Sequence, residues 1–119
     1  MKMFSVTVCL SADFRRTCLF MSGDGFEQAA RDGVYGDGGF NLRVRAEDHA
    51  GAANVAFEVC NSSVDELHCE PVYKDQVEDY RAAGNRSLSV GDALLIKSLD
   101  GRSPEDGRYG CKSFGWERF

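Results

Sequence analysis

Few side chains in this sequence can do acid–base or nucleophilic chemistry near neutral pH: His49 and His68, and the cysteines Cys9, Cys18, Cys60, Cys69 and Cys111. A cysteine nucleophile needs a thiolate held beside an imidazole or another cation. His68 and Cys69 are adjacent, and neighbouring side chains of an extended chain leave on opposite sides, so the pair does not make that couple by itself. For zinc the candidates are His49, Cys60, His68 and Cys69, whose spacing lacks the paired short intervals from which a tetrahedral structural site is built. The glycine-rich run Gly33–Gly39 has no following Lys-Ser or Lys-Thr and precedes a strand pattern rather than a helix, and Asp32 and Asp37 would repel a phosphate. Loop histidines, buried free thiols and a plain turn are the better readings. Neither enzymatic activity nor a metal or cofactor is expected.

Charge is the next candidate, and its distribution matters more than its total of −5. Residues 61–85 carry six acidic and two basic side chains. Within them Asp65, Glu66, Glu70, Asp75, Glu78 and Asp79 are interleaved with Leu67, Val72 and Tyr73. Such a surface suits a basic groove on another protein, with charge governing encounter and apolar residues adding contact area. A solvated helix face that only keeps the chain soluble accounts for the same residues. Arg15, Arg16, Arg43 and Arg45 form the opposite candidate, a basic strand face for nucleic acid. Phosphate binding depends on accumulated positive charge, and an acidic chain without a lysine-rich run disfavours direct nucleic-acid contact. A solvated face, or ion pairs to the acidic segment, is the preferred reading of these arginines.

The elements that must position these residues follow from periodicity. Phe4, Val6, Val8 and Leu10 alternate with Ser5, Thr7 and Cys9, which predicts a strand with one buried face. Phe14–Met21 is rich in strand formers and is expected to pair back as a hairpin, bringing Cys9 towards Cys18. Asp24 can cap a short helix over Gly25–Arg31. Phe40, Leu42 and Val44 predict another strand whose outer face carries Arg43 and Arg45. Glu47 and Asp48 favour a helix start, and Ala53, Ala56, Phe57 and Cys60 supply a buried stripe ending near Asn61. Pro71 interrupts any long element across 61–73. Lys74–Ala83 reads as a helix with Asp75, Glu78 and Asp79 on one face, Val77 and Tyr80 on the other, and a stop at Gly84-Asn85. Leu88, Val90, Leu94 and Ile96 suggest a strand interrupted at Gly91-Asp92. Ser98–Gly107 is a long hairpin loop, and a last strand follows through Tyr109, Cys111 and Ser113, with Trp116 and Phe119 as anchors.

These elements predict one α+β domain: an antiparallel sheet of four or five strands with two or three helices mainly on one face. The amino end lacks a continuous apolar run, and no segment reaches the length needed to span a bilayer, so a cytoplasmic protein with reduced cysteines is expected. Oligomeric state stays open, including a symmetric contact through the carboxyl-terminal aromatics.

Arg86-Ser-Leu-Ser-Val-Gly-Asp92, followed by Tyr109 and Ser113-Phe-Gly-Trp116, resembles a motif of small phage and mobile-element proteins, including the YodL-like group. A weaker likeness lies in Phe57-Glu-Val-Cys-Asn61. The resemblance covers about the last third of the chain. It implies an accessory protein acting in the cytoplasm of a bacterial host cell. By analogy of setting, that is a non-enzymatic inhibitor of host defence, anti-CRISPR-like or antirestriction, whose partner is a protein of a defence complex. Asp65, Glu66, Glu70, Tyr73, Asp75, Glu78 and Asp79 are then the expected partner-binding residues, and a regulatory nucleic-acid-binding module is the alternative.

Overall fold

The period-two pattern of the amino end is realised as strand β1 (Lys2–Cys9), whose even positions Phe4, Val6 and Val8 are buried. The computed structural model describes residues 1–12, 23–36 and 39–119. The expected hairpin partner over 14–21, with Arg15, Arg16 and Cys18, lies outside them, as does Asp37. After β1 come helix α1 (Gly23–Arg31), β2 (Phe40–Ala46), α2 (His49–Cys60), a 3-10 turn (Pro71–Tyr73), α3 (Lys74–Ala82), β3 (Ala93–Ser98), β4 (Gly107–Cys111) and β5 (Trp116–Arg118). Among the described residues the strands form one antiparallel sheet in the order β2-β1-β3-β4-β5. This is a single α+β domain with a five-stranded sheet.

The even face of β1, with Leu42, Val44, Leu94 and Ile96, packs beneath α2 and α3 in the main core. The stripe on α2 is Ala52, Ala53, Ala56, Val59 and Cys60. Phe57, expected in that stripe, instead stands at its flank, 39% exposed, where its ring meets Trp116 edge-on. Asp48 caps α2 by accepting from Gly51 N at 2.7 Å, and Asn61 closes it by donating to Phe57 O. Arg81 adds donors to Cys60 O and Ser62 O just beyond the carboxyl end of α2, where a cation is favoured by the helix dipole. Helix α1 covers the other face at one end of the sheet. Its Phe26 is fully buried against Gly110, where any Cβ would sit 2.3 Å from the ring, and stacks on Phe119. Because α1 begins at Gly23, Asp24 falls inside its first turn rather than before it.

The segment read as an interrupted strand from Leu88 is a turn, and β3 begins only at Ala93. The cause is Asp92, a fully buried carboxylate. It accepts Ser11 N at 2.7 Å, Ser89 N at 2.8 Å and two nitrogens of Arg86 at 2.8 Å each. Arg86 also donates to Ser11 O and Ser87 O, and Gly91 takes the positive φ of 96° that the tight turn needs. Ser89 N is thereby given to the carboxylate and Asp92 N to Ser89 O, while Gly91 N still reaches Cys111 O at the end of β4.

The free edge of β2 is closed by side chains. Gln76 accepts from Arg43 N and donates to Arg43 O, both at 2.8 Å, and the Tyr73 hydroxyl accepts from Arg45 N at 3.0 Å.

Asp92 is fully buried whereas the Arg86 side chain is 32% exposed, so removing Arg86 strands a buried charge, at a cost of up to about 3–5 kcal/mol, and removing Asp92 leaves a cation that water can still reach. Urea unfolding is expected to show a loss of that size for Arg86→Ala and a smaller one for Asp92→Ala. Arg86→Lys restores little, because one ammonium cannot span both carboxylate oxygens.

Candidate functional site

The acidic residues that the sequence singled out divide between the 61–70 loop and α3. Asp65, Glu66 and Glu70 are exposed on the loop; Asp75, Glu78 and Asp79 are exposed on α3, opposite the buried Val77 and Tyr80. Among the described residues none of the six pairs with an arginine or lysine. Glu66 has His68 Nε2 at 3.7 Å. The ion pairs expected between this segment and Arg43 or Arg45 are not formed. Tyr73 differs from the other expected contact residues, since it is buried and its hydroxyl is committed to β2. Its lack of a free polar end follows from its place just before α3, where the chain turns over the sheet edge. Val72 is the apolar side chain left outside, 74% exposed.

Neither histidine has a described thiol among its polar partners, which are carboxylates. His49 opens α2 and is buried against Phe4, with ring centroids 4.9 Å apart. Its Nε2 lies 2.8 Å from Asp106 Oδ1 and its Nδ1 3.5 Å from Glu105 Oε2, so both nitrogens face carboxylates of the β3–β4 loop. Asp106 also accepts Ser98 N and Ser103 N. A cavity of about 170 Å³ adjoins this cluster, but Ser103 Oγ already accepts from Glu105 N. The arrangement fastens the loop to the helix start. Sequence reasoning missed it because Asp106 and His49 are linked only through the register of the sheet.

The thiols are equally unsuited to nucleophilic work. Burial pushes Cys60 up to about 12, with Tyr80 and Arg81 opposing weakly, and pushes Cys111 up to about 11, with the Asp92 charge adding. Burial also raises Cys9. Cys69 sits against Ser62 Oγ at 3.6 Å rather than against an imidazole. Among the described residues no group of three or more His, Cys, Asp or Glu side chains could hold a metal ion, and no helix is long and apolar enough to cross a membrane.

The strongest assembly is the sheet face away from α2 and α3. Antiparallel register sets Arg43, Ser5 and Lys97 in one row, Arg45 and Met3 in the next, and Asn41, Thr7, Leu95 and Arg108 in a third. Arg43, Arg45, Lys97 and Arg108 are exposed, and no position of β1–β4 on this face is acidic. Asn41 Nδ2 donates to Ser5 Oγ and Thr7 Oγ1, and Arg108 lies over the Phe119 ring. Lys97 and Arg108 were not singled out in the sequence, where their alternation with apolar neighbours was the only signal. Beside β2 runs a groove of about 500 Å³ lined by Met1, Met3, Arg43, Arg45, Glu70, Val72, Tyr73 and Gln76.

No protein-family model matches the chain, and no curated protein and no solved structure matches it.

Two predictions follow from these environments. In the native protein at pH 7.5, peptide mapping after iodoacetamide treatment is expected to find Cys60 and Cys111 unmodified, and modified once urea is added. The hydrogen bond from His49 holds the Asp106 carboxyl below its usual range, with Ser98 and Ser103 amides assisting. A depressed folded value favours the ionised form, so the stability it brings is present above about pH 4 and is lost as pH falls through the lower folded value. Asp106→Asn should therefore lower Tm at pH 7, and the gap to wild type should close as pH falls through the folded value.

Proposed function

We propose that this chain works by binding rather than by catalysis, and that it engages a basic surface of a partner protein through Asp75, Glu78 and Asp79 on α3 together with Asp65, Glu66 and Glu70. The carrying observation is that these six carboxylates are exposed and that no arginine or lysine of the described chain pairs with them. Like charges at i, i+3 and i+4 on a helix repel by a few tenths of a kcal/mol per pair, so α3 holds them at a cost that a cationic partner would reverse. Val72 offers apolar contact area beside them, and charge complementarity would speed and orient the encounter. Tyr73 serves this surface only as support.

The setting rests on the likeness of the Arg86–Asp92 and Ser113–Trp116 blocks to phage and mobile-element proteins. In that setting the partner is a protein of a bacterial defence complex and the outcome is inhibition. The affected groove would be one that otherwise holds nucleic acid or an effector.

Affinity capture from a bacterial lysate at physiological salt, followed by titration of the purified partner, tests this reading. Asp75→Lys, Glu78→Lys and Asp79→Lys combined should weaken binding by roughly 100-fold, equivalent to about 2.7 kcal/mol, with unfolding unchanged. A partner that binds the triple variant as tightly as wild type removes the acidic face from the proposal.

A further inference from the structure

Net charge argues against a nucleic-acid ligand only if charge is spread evenly over the surface. Here it is not. The acidic excess sits on α3 and the 61–70 loop, whereas the open sheet face carries Arg43, Arg45, Lys97 and Arg108. Electrostatic attraction in physiological salt acts over a Debye length of about 8 Å, so a ligand lying on the sheet responds chiefly to the charges of that face. The bland alternative for the arginines was neutralisation by the acidic segment. Neither Arg43 nor Arg45 forms an ion pair among the described residues, and neither does Lys97.

We propose that the open sheet face binds single-stranded nucleic acid through its phosphates. Three features of the face fit that ligand. Arg43 and Lys97 flank Ser5 in one row across three strands, which sets their Cα atoms about 10 Å apart, two strand spacings. Arg45 lies two residues along from Arg43, about 7 Å at the usual strand rise. A backbone crossing the strands therefore meets three cations in a short path, with the hydroxyl of Ser5 between Arg43 and Lys97 as a further hydrogen-bonding group.

The second feature is the groove of about 500 Å³ on the β2 side. Arg43 and Arg45 form one rim, and Met1, Met3, Val72 and Tyr73 give it apolar walls. An unpaired base can leave the phosphate track and enter such a groove, which a base held in a duplex cannot do.

The third feature is what the uncovered part of the face lacks. Away from α1 and Phe119, strands β1–β3 present Met3, Ser5, Thr7, Asn41, Arg43, Arg45 and Lys97 on it, none of them aromatic. Without a stacking platform, affinity must come mainly from phosphate contacts and so must be steeply salt-dependent and tolerant of sequence. This surface shares Glu70 and Val72 with the acidic one but none of the α3 carboxylates, so substitutions on α3 separate the two proposals.

Fluorescence anisotropy of the full chain with a labelled 20-nucleotide oligo(dT) or oligo(rU) tests it. Three phosphate contacts give a log–log salt slope near −2, so raising salt from 50 to 200 mM should weaken binding roughly 20-fold. Arg43→Glu with Lys97→Glu should abolish binding at unchanged Tm, while the lysine-substituted α3 variant should keep it. The idea is overturned by no binding of either oligonucleotide at 50 mM salt, by undiminished binding of the Arg43→Glu/Lys97→Glu variant, by tighter binding of a duplex of the same length, or by equal affinity for polyglutamate, which would mark an acidic protein as the ligand.

Discussion

The buried pair of Arg86 and Asp92 is the constraint on which the closure of this fold depends. Asp92 has no exposed surface, yet all of its described acceptor contacts are charge-assisted or with backbone amides: two Arg86 nitrogens, Ser11 N and Ser89 N. Its main chain accepts Cys111 N at 2.8 Å, and the neighbouring Gly91 carbonyl accepts the Tyr35 hydroxyl at 2.8 Å. The end of β1, the chain after α1, the exit from α3 and the end of β4 therefore converge on one turn. Such a pair is not a large net source of stability, because two charges must be taken out of water. What it supplies is a fixed meeting point for these four segments.

This node also governs which cations remain for function. Arg86 is spent on Asp92, Arg81 on the carbonyls beyond α2, and Arg118 donates to Asp106 O. In the carboxyl-terminal third, Arg81 and Arg86 are thus drawn inward, Lys112 pairs with Glu117 and Arg118 is tied to the β3–β4 loop, while Lys97, Arg102 and Arg108 are exposed. The acidic residues of α3 receive no such partners. A chain of modest net charge consequently carries two surfaces of opposite sign, a property invisible in the total and set by which arginines the fold consumes.

Local periodicity carried most of the fold. Alternation in 4–8 and 40–44 identified strands correctly because each buries mainly one face, Leu94 and Ile96 fell within β3, and Asp48 and Asn61 marked α2 because caps are local hydrogen bonds. Phe57 was misplaced because a helical stripe is about 100° wide and Phe57 lies at its margin, where Trp116 from β5 captures it. The Leu88–Val90 stretch read as strand because its apolar spacing is right, whereas the carboxylate that overrides it acts through Ser11, which lies 81 residues from Asp92 in sequence. The acidic face of α3 was legible from helix geometry alone. The basic face was only half legible, since Lys97 joins Arg43 through strand order β2-β1-β3, which no single-sequence pattern specifies.

The closed edge of β2 limits how any partner can use these surfaces. An exposed edge strand invites another chain to add to the sheet through main-chain hydrogen bonds. Gln76 occupies both groups of Arg43 as a neighbouring peptide unit would, and Tyr73 takes the amide of Arg45. Strand addition at that position would have to displace three hydrogen bonds and lift the 3-10 turn from the core. Recognition is therefore left to side chains: carboxylates projecting from α3 on one side of this edge, guanidinium groups from β2 on the other. The residues that block the edge, lying at the start of α3, hold the acidic helix against the basic strand, so the same contacts that prevent unspecific pairing fix the relative position of the two charged surfaces.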